Sequence, residues 1–437
     1  MFPACISVRS CAILFVCLLG VNRIFAADNT CSASAPALVH AIFNVMDFGA
    51  TGEGKAKDTA ALQKAIDACA SAGGGTVLIP SGVYLIGSLQ LKSDVTLSLE
   101  NKTFLLGSPD IEDYPLTRVR WEGEFTEGHR ALLWAEKAEH IAILGSGTIF
   151  GPPITLSLLR NPRAPALIEP SECTDVLLDG FTAQYQRMWA IHPVLCQSVV
   201  ARNLIVRSTN TNGDGIDVDS CRDVVIERCS IDAGDDAIAL KSGRGLEAVR
   251  IGRPTENVLI KDCTLTSSMF AAIGIGTELS GDIRHVKIQN CTISGKGNGI
   301  VIKSRDGRGA VAEDITGENL IIFNSPTFLS IDLLKRGNQA KEPVPGPVDQ
   351  WTQVRNLRFT DIHVHNVTQL ISGTKIPAER PLRGLSISNV SGDCEQGITL
   401  AHASAVAFSG ITVTGYKGTL ITTEDVKGTG LDNPSAK

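Results

Sequence analysis

The chain has 437 residues, 42 of them Gly, with 20% charged and 5% aromatic residues and a formal net charge of −6. Its length suits two ordinary domains or one large β-solenoid, and its supply of Val, Ile, Thr and Gly favours short strands and tight turns over long amphipathic helices. The negative balance argues against nucleic acid or an anionic membrane as partner but leaves room for an acidic polymer, because binding depends on local charge.

Residues 1–26, MFPACISVRSCAILFVCLLGVNRIFA, carry Arg9, an apolar run from Cys11 to Val21, and Ala26 as a cleavage residue. The run is too short to span a membrane and reads as a secretory signal peptide. The mature protein, residues 27–437, is therefore expected to be secreted, extracellular or periplasmic. Loss of Arg9 and Arg23 takes the charge from −6 to −8. Three of the 12 cysteines leave with the signal, so nine remain and at least one is unpaired. With no CxxC pair or Cys/His cluster at zinc spacing, no metal or cofactor is expected. Sequons stand at Asn101, Asn290, Asn366 and Asn389.

Segment 58–75, DTAALQKAIDACASAGGG, has apolar residues at helical spacing, Asp58 as N-cap and a Gly stop. A helix there would cap the open end of a solenoid. One motif then recurs at 174–183, 222–231, 256–265, 284–293, 355–364 and 383–392. Each copy reads polar, polar or Gly, apolar, variable, apolar, then a polar turn, and that self-similarity signals stacked units. A shorter strand follows most copies: DGIDVDS, DAIALKS, AAIGIGT, NGIVIKS. Short strands with no helical period between them predict a parallel β-helix of about ten coils from residue 42 onward. The stretch 337–350 reads as a loop off one coil, and nothing splits the chain into two domains. Cys229, Cys263 and Cys291 share one motif position and read as an inward stack.

Aligning the second strands puts Ile216, Ile238, Ile273 and Ile300 in one inward column, and Val218, Leu240, Ile275 and Ile302 in the next. Asp219, Lys241, Gly276 and Lys303 then face outward. In this register Asp214 and Asp236 are equivalent in adjacent coils, about 5 Å apart at the backbone, with Asp235 beside them. A lone Asp before Gly is a common turn residue. Three clustered carboxylates repel one another at a cost that makes sense where it tunes their pKa values, keeping one as an acid and another as a base. Cations adjoin them: Lys241 and Lys303 in column, with Arg244, Arg250, Arg305 and Arg308 on neighbouring loops. Acids plus cations fit hydrolysis of a glycosidic bond in an anionic sugar chain.

At these residues the sequence resembles glycoside hydrolase family 28, the polygalacturonase family. The resemblance rests on FNVMDFGATGEGKAKDTAALQKAI, WAIHPVLC, NGDGIDVDSC, GDDAIALKSG and NGIVIKSRDGRG, and covers roughly residues 42–420. The segment SGRGLEAVRIGRPTENV is similar to the bacterial exo-acting branch. The resemblance implies an all-β, right-handed parallel β-helix of the pectin-lyase-like kind, with an N-terminal capping helix. It implies inverting hydrolysis of pectin-type, galacturonate-containing polysaccharide, with acidic plant cell-wall polymer or its oligosaccharides as partner and the enzyme a monomer. Asp235 would be the general acid, and Asp214 and Asp236 would activate water; Lys303 would bind a substrate carboxylate. Two motif positions depart from the family: Ala271 stands where its His should be, and Val301 where its Arg should be. Arg305 and His192 are the candidates to replace them at the substrate. The competing readings are a β-helix polysaccharide lyase, using clustered Asp to hold Ca²⁺, and a non-catalytic carbohydrate-binding solenoid.

Overall fold

The computed structural model describes residues 41–153, 162–184, 188–334 and 351–432. The signal segment 1–26 and the loop 337–350 lie outside the described residues. Alternation of apolar and polar residues lets each strand bury one face while its backbone bonds to the next coil. In one ladder Thr174, Gln197, Arg222, Glu256, Arg284, Glu313, Arg355 and Arg383 lie side by side in parallel register. Every repeat copy found in the sequence falls on this ladder. Further rungs, at Glu139, Gln197 and Glu313, belong to it as well.

A second ladder carries Ile216, Ile238, Ile273 and Ile300 as one buried column, as the sequence alignment predicts. The column runs on in both directions, from Leu89, Leu133, Ile168 and Ile191 below to Leu329, Ile371, Ile398 and Ile421 above. That makes 12 rungs among the described residues, against about ten expected. Full burial of such a side chain stabilises by roughly 1.5–3 kcal/mol, so a register slip on any rung would forfeit that and turn the outward residues in. The fold is a parallel β-helix.

Helix α1, Thr59–Ser71, buries Leu62, Ala65, Ile66 and Cys69 against the first coils. Asp58 holds the N-cap position but makes no capping bond to the helix. Its carboxylate instead accepts from Thr51 N at 2.7 Å and Gly52 N at 3.1 Å, because the extended stretch before the helix brings those donors closer. The eight described cysteines are free and buried, Cys229, Cys263 and Cys291 among them.

The elements that build the site are few. A hairpin, β1 (Leu116–Trp121) and β2 (Glu124–His129), stands apart from the coils. Its turn residues Glu122 and Gly123 have φ of 44° and 84°, the left-handed pair that a two-residue hairpin favours. Strands β3 (Ile216–Asp219) and β4 (Ile238–Lys241) follow. Helix α2 (Gly245–Ile251) lies between β4 and β5 (Ala271–Ile275), and β6 (Asn298–Lys303) completes the set.

Candidate active site

Asp214 and Asp236 each stand two residues before an inward Ile, on β3 and β4. The register Ile216 to Ile238 therefore sets them side by side, with Gly215 N donating to Asp236 O at 3.0 Å. The turns ahead of both strands press together at glycine. A Cβ on Gly234 would lie 2.0 Å from Asn210 O, and one on Gly213 would lie 2.4 Å from Ser208 O. Only glycine fits there, and this close approach brings Asp235 in. One carboxylate oxygen from each of Asp214, Asp235 and Asp236 lies within 4.8 Å of the other two.

Burial and like charge set the proton affinities. Burial, then the charge of Asp236, pushes Asp235 up to about 7, against the opposing pull of Lys303 and Lys241. Burial, then Asp217 and Asp235, holds Asp214 well above the usual carboxylate range. Asp236 differs in having a cation of its own: Lys303 Nζ donates to its Oδ2 at 2.5 Å. Burial pulls Lys303 down, yet the charge of Asp236 keeps it above its ordinary value. Gly274 on β5 makes room for this pair, since a Cβ there would meet Asp236 Oδ2 at 2.3 Å.

A second carboxylate group adjoins the first. Lys241 Nζ lies 3.2 Å from Asp217 Oδ1, 3.6 Å from Glu278 Oε2 and 3.8 Å from Asp214 Oδ2, and 4.3 Å from the centre of the Trp189 ring. Burial pushes Asp217 up to about 6, with Lys241 and His192 opposing. Asp217 was legible from alternation, being the outward residue next to Ile216. Glu278 carries no comparable sequence signal.

His192 does not line the cleft as expected. Its ring is fully buried, Nδ1 is 2.9 Å from Glu169 Oε2, and Trp189 packs against it edge-on with centroids 4.8 Å apart. Arg163 ties down the same Glu169 at 2.5 Å, so the imidazole stands in a layer behind the one a sugar could touch. Arg305 sits on the turn past β6, 4.0 Å from Asp306. With Arg244 it crowds Arg308, which burial and these two cations push down to about 10.

The hairpin walls one end of this floor. Arg120 on β1 donates to Asp219 Oδ2 at 3.0 Å, both groups buried. Arg244 N bonds Gly123 O at 3.0 Å, and its guanidinium reaches Glu124 at 2.5 Å. Trp121 stacks on Trp189 with centroids 4.9 Å apart. As to a metal, Asp214, Asp235 and Asp236 have the right donor atoms, but Lys303 at 2.5 Å already supplies Asp236 with positive charge where a cation would sit. That arrangement fits a metal poorly.

Residues 69–375 match the model of glycosyl hydrolases family 28. The chain belongs to that family. This family 28 member is a glycoside hydrolase. It is 29% identical to a probable polygalacturonase of Vitis vinifera, over 80% of this chain and 73% of the relative. It is 25% identical to an exo-poly-α-D-galacturonosidase of Dickeya chrysanthemi, over 80% of this chain and 65% of the relative. Among solved structures it is similar to a hyperthermoactive exopolygalacturonase of Thermotoga maritima, with TM-score 0.78, 26% identity and coverage of 87% and 93% of the two chains. The hydrolase's two departures from the family motifs are both buried. Ala271 is the register neighbour of Asp236, and Val301 lies beside Gly274.

Proposed function

We propose that the protein is a secreted, monomeric, inverting exo-hydrolase of galacturonate-containing pectin, made with a signal segment over residues 1–26 and one catalytic domain over 27–437. The observation that carries the reading is the trio Asp214, Asp235 and Asp236, with one oxygen of each within 4.8 Å of the others and Lys303 on Asp236. Asp235 holds its proton to about pH 7 and delivers it to the glycosidic oxygen as the bond to the anomeric carbon breaks. Asp236 takes a proton from the attacking water, and Asp214 orients that water. Lys303 and Arg305 attract the substrate carboxylates. The names of the Dickeya and Thermotoga relatives support exo action, and the hairpin that walls one end of the cleft gives it a physical cause.

The carboxylates lie closer together than is usual for inverting enzymes, whose two groups are typically about 6.5–9.5 Å apart; inversion rests on the family resemblance. The test is product analysis on polygalacturonate, rhamnogalacturonan and xylogalacturonan. Monosaccharide as the first product, born with the anomeric configuration opposite to the bond cleaved, is the expected result. A ladder of oligomers would remove the exo assignment, and retained configuration would remove inversion. An unsaturated, chelator-sensitive product would mean a lyase instead.

A further inference from the structure

Just before β5, two large apolar side chains face solvent. Phe270 is 38% exposed and Met269 53% exposed, at the start of β5. Ala237 N donates to Ala271 O at 3.0 Å, so Phe270, one residue before Ala271, comes in beside the turn that carries Asp235 and Asp236. The neighbouring coil holds it in place from both sides. Asn298 N and Asn298 Nδ2 both donate to Phe270 O, at 2.8 and 3.2 Å. Ser268 N donates to Ala233 O at 2.9 Å, and Ser267 Oγ to Asp235 O at 2.6 Å. Lys303 Nζ stands 6.0 Å from the centre of the Phe270 ring.

We infer that Phe270 is a stacking platform for the sugar that leaves, beside the Lys303 already assigned to a substrate carboxylate. The inference rests on the hydrolase reading above, because it takes Asp235 as the acid. A group that protonates the leaving oxygen must border the leaving sugar, and this exposed ring stands by that group's turn with Lys303 Nζ 6.0 Å from its centre. A pyranose of galacto configuration presents C–H bonds on one face, which suits the negative face of an aromatic ring. Its carboxylate would stand at the ring edge, where the Lys303 ammonium is. The chemistry selected is therefore a uronic acid in the departing position, recognised by one apolar face and one charge.

The test compares two substrates that share the retained sugar and differ in what departs: the galacturonate disaccharide, whose leaving group is a sugar, and α-galacturonosyl fluoride, whose leaving group has no ring to stack. For Phe270→Leu, which keeps apolar bulk but loses the ring face, kcat/KM on the disaccharide should fall about 5- to 20-fold, and at least fivefold more than on the fluoride. Phe270→Trp should restore most of the loss. Equal losses on both substrates, or none on the disaccharide, would overturn the placement of Phe270 while leaving the hydrolase reading intact. A wild-type protein inert on both would overturn that reading and this inference together.

Discussion

Two kinds of polar stack run up this solenoid, and they obey opposite rules. On the turns, Asn203, Asn290 and Asn389 in one column and Asn257 and Asn356 in another each donate through Nδ2 to an Asp one coil below, at 2.7–3.1 Å. All five have φ of 52–56°, the left-handed region that Asn tolerates. In the cleft the equivalent places hold unlike residues. Asp214 is neighboured by Asp236 and then Ala271, and Asp217 by Ala239, Gly274 and Val301. Asp214 Oδ1, Asp236 Oδ1 and Asp217 Oδ2 are buried without a hydrogen-bond partner among the described residues, and Asp217 Oδ1 has only the Lys241 ammonium at 3.2 Å. Repetition gives these amides partners and ties each coil to the next. Its interruption leaves buried carboxyls, of which Asp214 and Asp217 are held above the usual carboxylate range by burial, and chemistry is expected at such groups.

The sharpest break in the comparison is Asp235→Asn. It keeps the shape but has no proton to give, so kcat should fall by about 10²–10⁴-fold in steady-state assays on pectic oligosaccharides. Asp214→Asn and Asp236→Asn should cost similar factors, and the losses should not add, since they serve one transition state. Wild-type kcat should itself decline as pH rises through about 7, where Asp235 loses its proton. Stability follows the same sign. The folded state raises this group from 3.8 to about 7, so its contribution is complete below pH 4 and is lost as pH rises toward 7. Asp235→Asn should therefore melt higher than wild type at pH 8. A folded variant with near-normal hydrolysis would return these carboxylates to turn-building.

Next in size is Lys303→Ala. If Lys303 serves a substrate carboxylate as well as Asp236, turnover of acidic oligosaccharides should drop about 100-fold, an effect of the order of a lost buried charge contact. Neutral, esterified oligosaccharides should lose roughly tenfold less. Equal losses would confine Lys303 to balancing Asp236. A smaller effect is expected from Gly274→Ala, whose new methyl would meet Asp236 Oδ2 at 2.3 Å. Moving that carboxylate by a few tenths of an ångström should lower kcat about tenfold with little change in KM. Unchanged kcat would mean that the position of Asp236 is not critical.

Much of this was open to a reader of the sequence, because both ladders are local patterns. The period-2 runs DGIDVDS, DAIALKS, AAIGIGT and NGIVIKS place the aliphatic column in register without a coordinate, and with it the three carboxylates. What the sequence hid is what folds back from a distance. Arg120 reaches Asp219 across 99 positions, and no periodicity announces such a contact. The hairpin's Glu-Gly turn is a weaker signal than Asn-Gly or Asp-Gly. Once the hairpin stands on Trp189, His192 falls a layer behind the surface, and for that reason its expected role in the cleft does not hold. Glu278 escaped notice because it follows β5 rather than lying on it. The rungs at Gln197 and Glu313 are harder to read because Ala201 and Gly317 take the place of the second large apolar residue, Leu178 or Ile288 on the neighbouring rungs.

The smallest expected effect lies on the repeating side. Asn290 donates to Asp262 at 3.0 Å and accepts from Asn319 at 2.9 Å, at φ 52°. Asn290→Ala removes both bonds and puts a residue less suited to that φ in the turn, a loss of about 1–2 kcal/mol. Asn290→Gly loses the same bonds but relaxes the backbone, so it should cost less than alanine. In a chain this long either change moves Tm by only about 1–2 °C, and denaturant midpoints will resolve them better. Activity per folded molecule should stay at the wild-type value for both. The same amide belongs to a sequon, so a glycan on Asn290 would have to displace the ladder, and glycosylated material should match the alanine variant in stability. If Asn290→Ala instead left stability untouched and lowered kcat, the division between a structural and a chemical stack would fail at this residue.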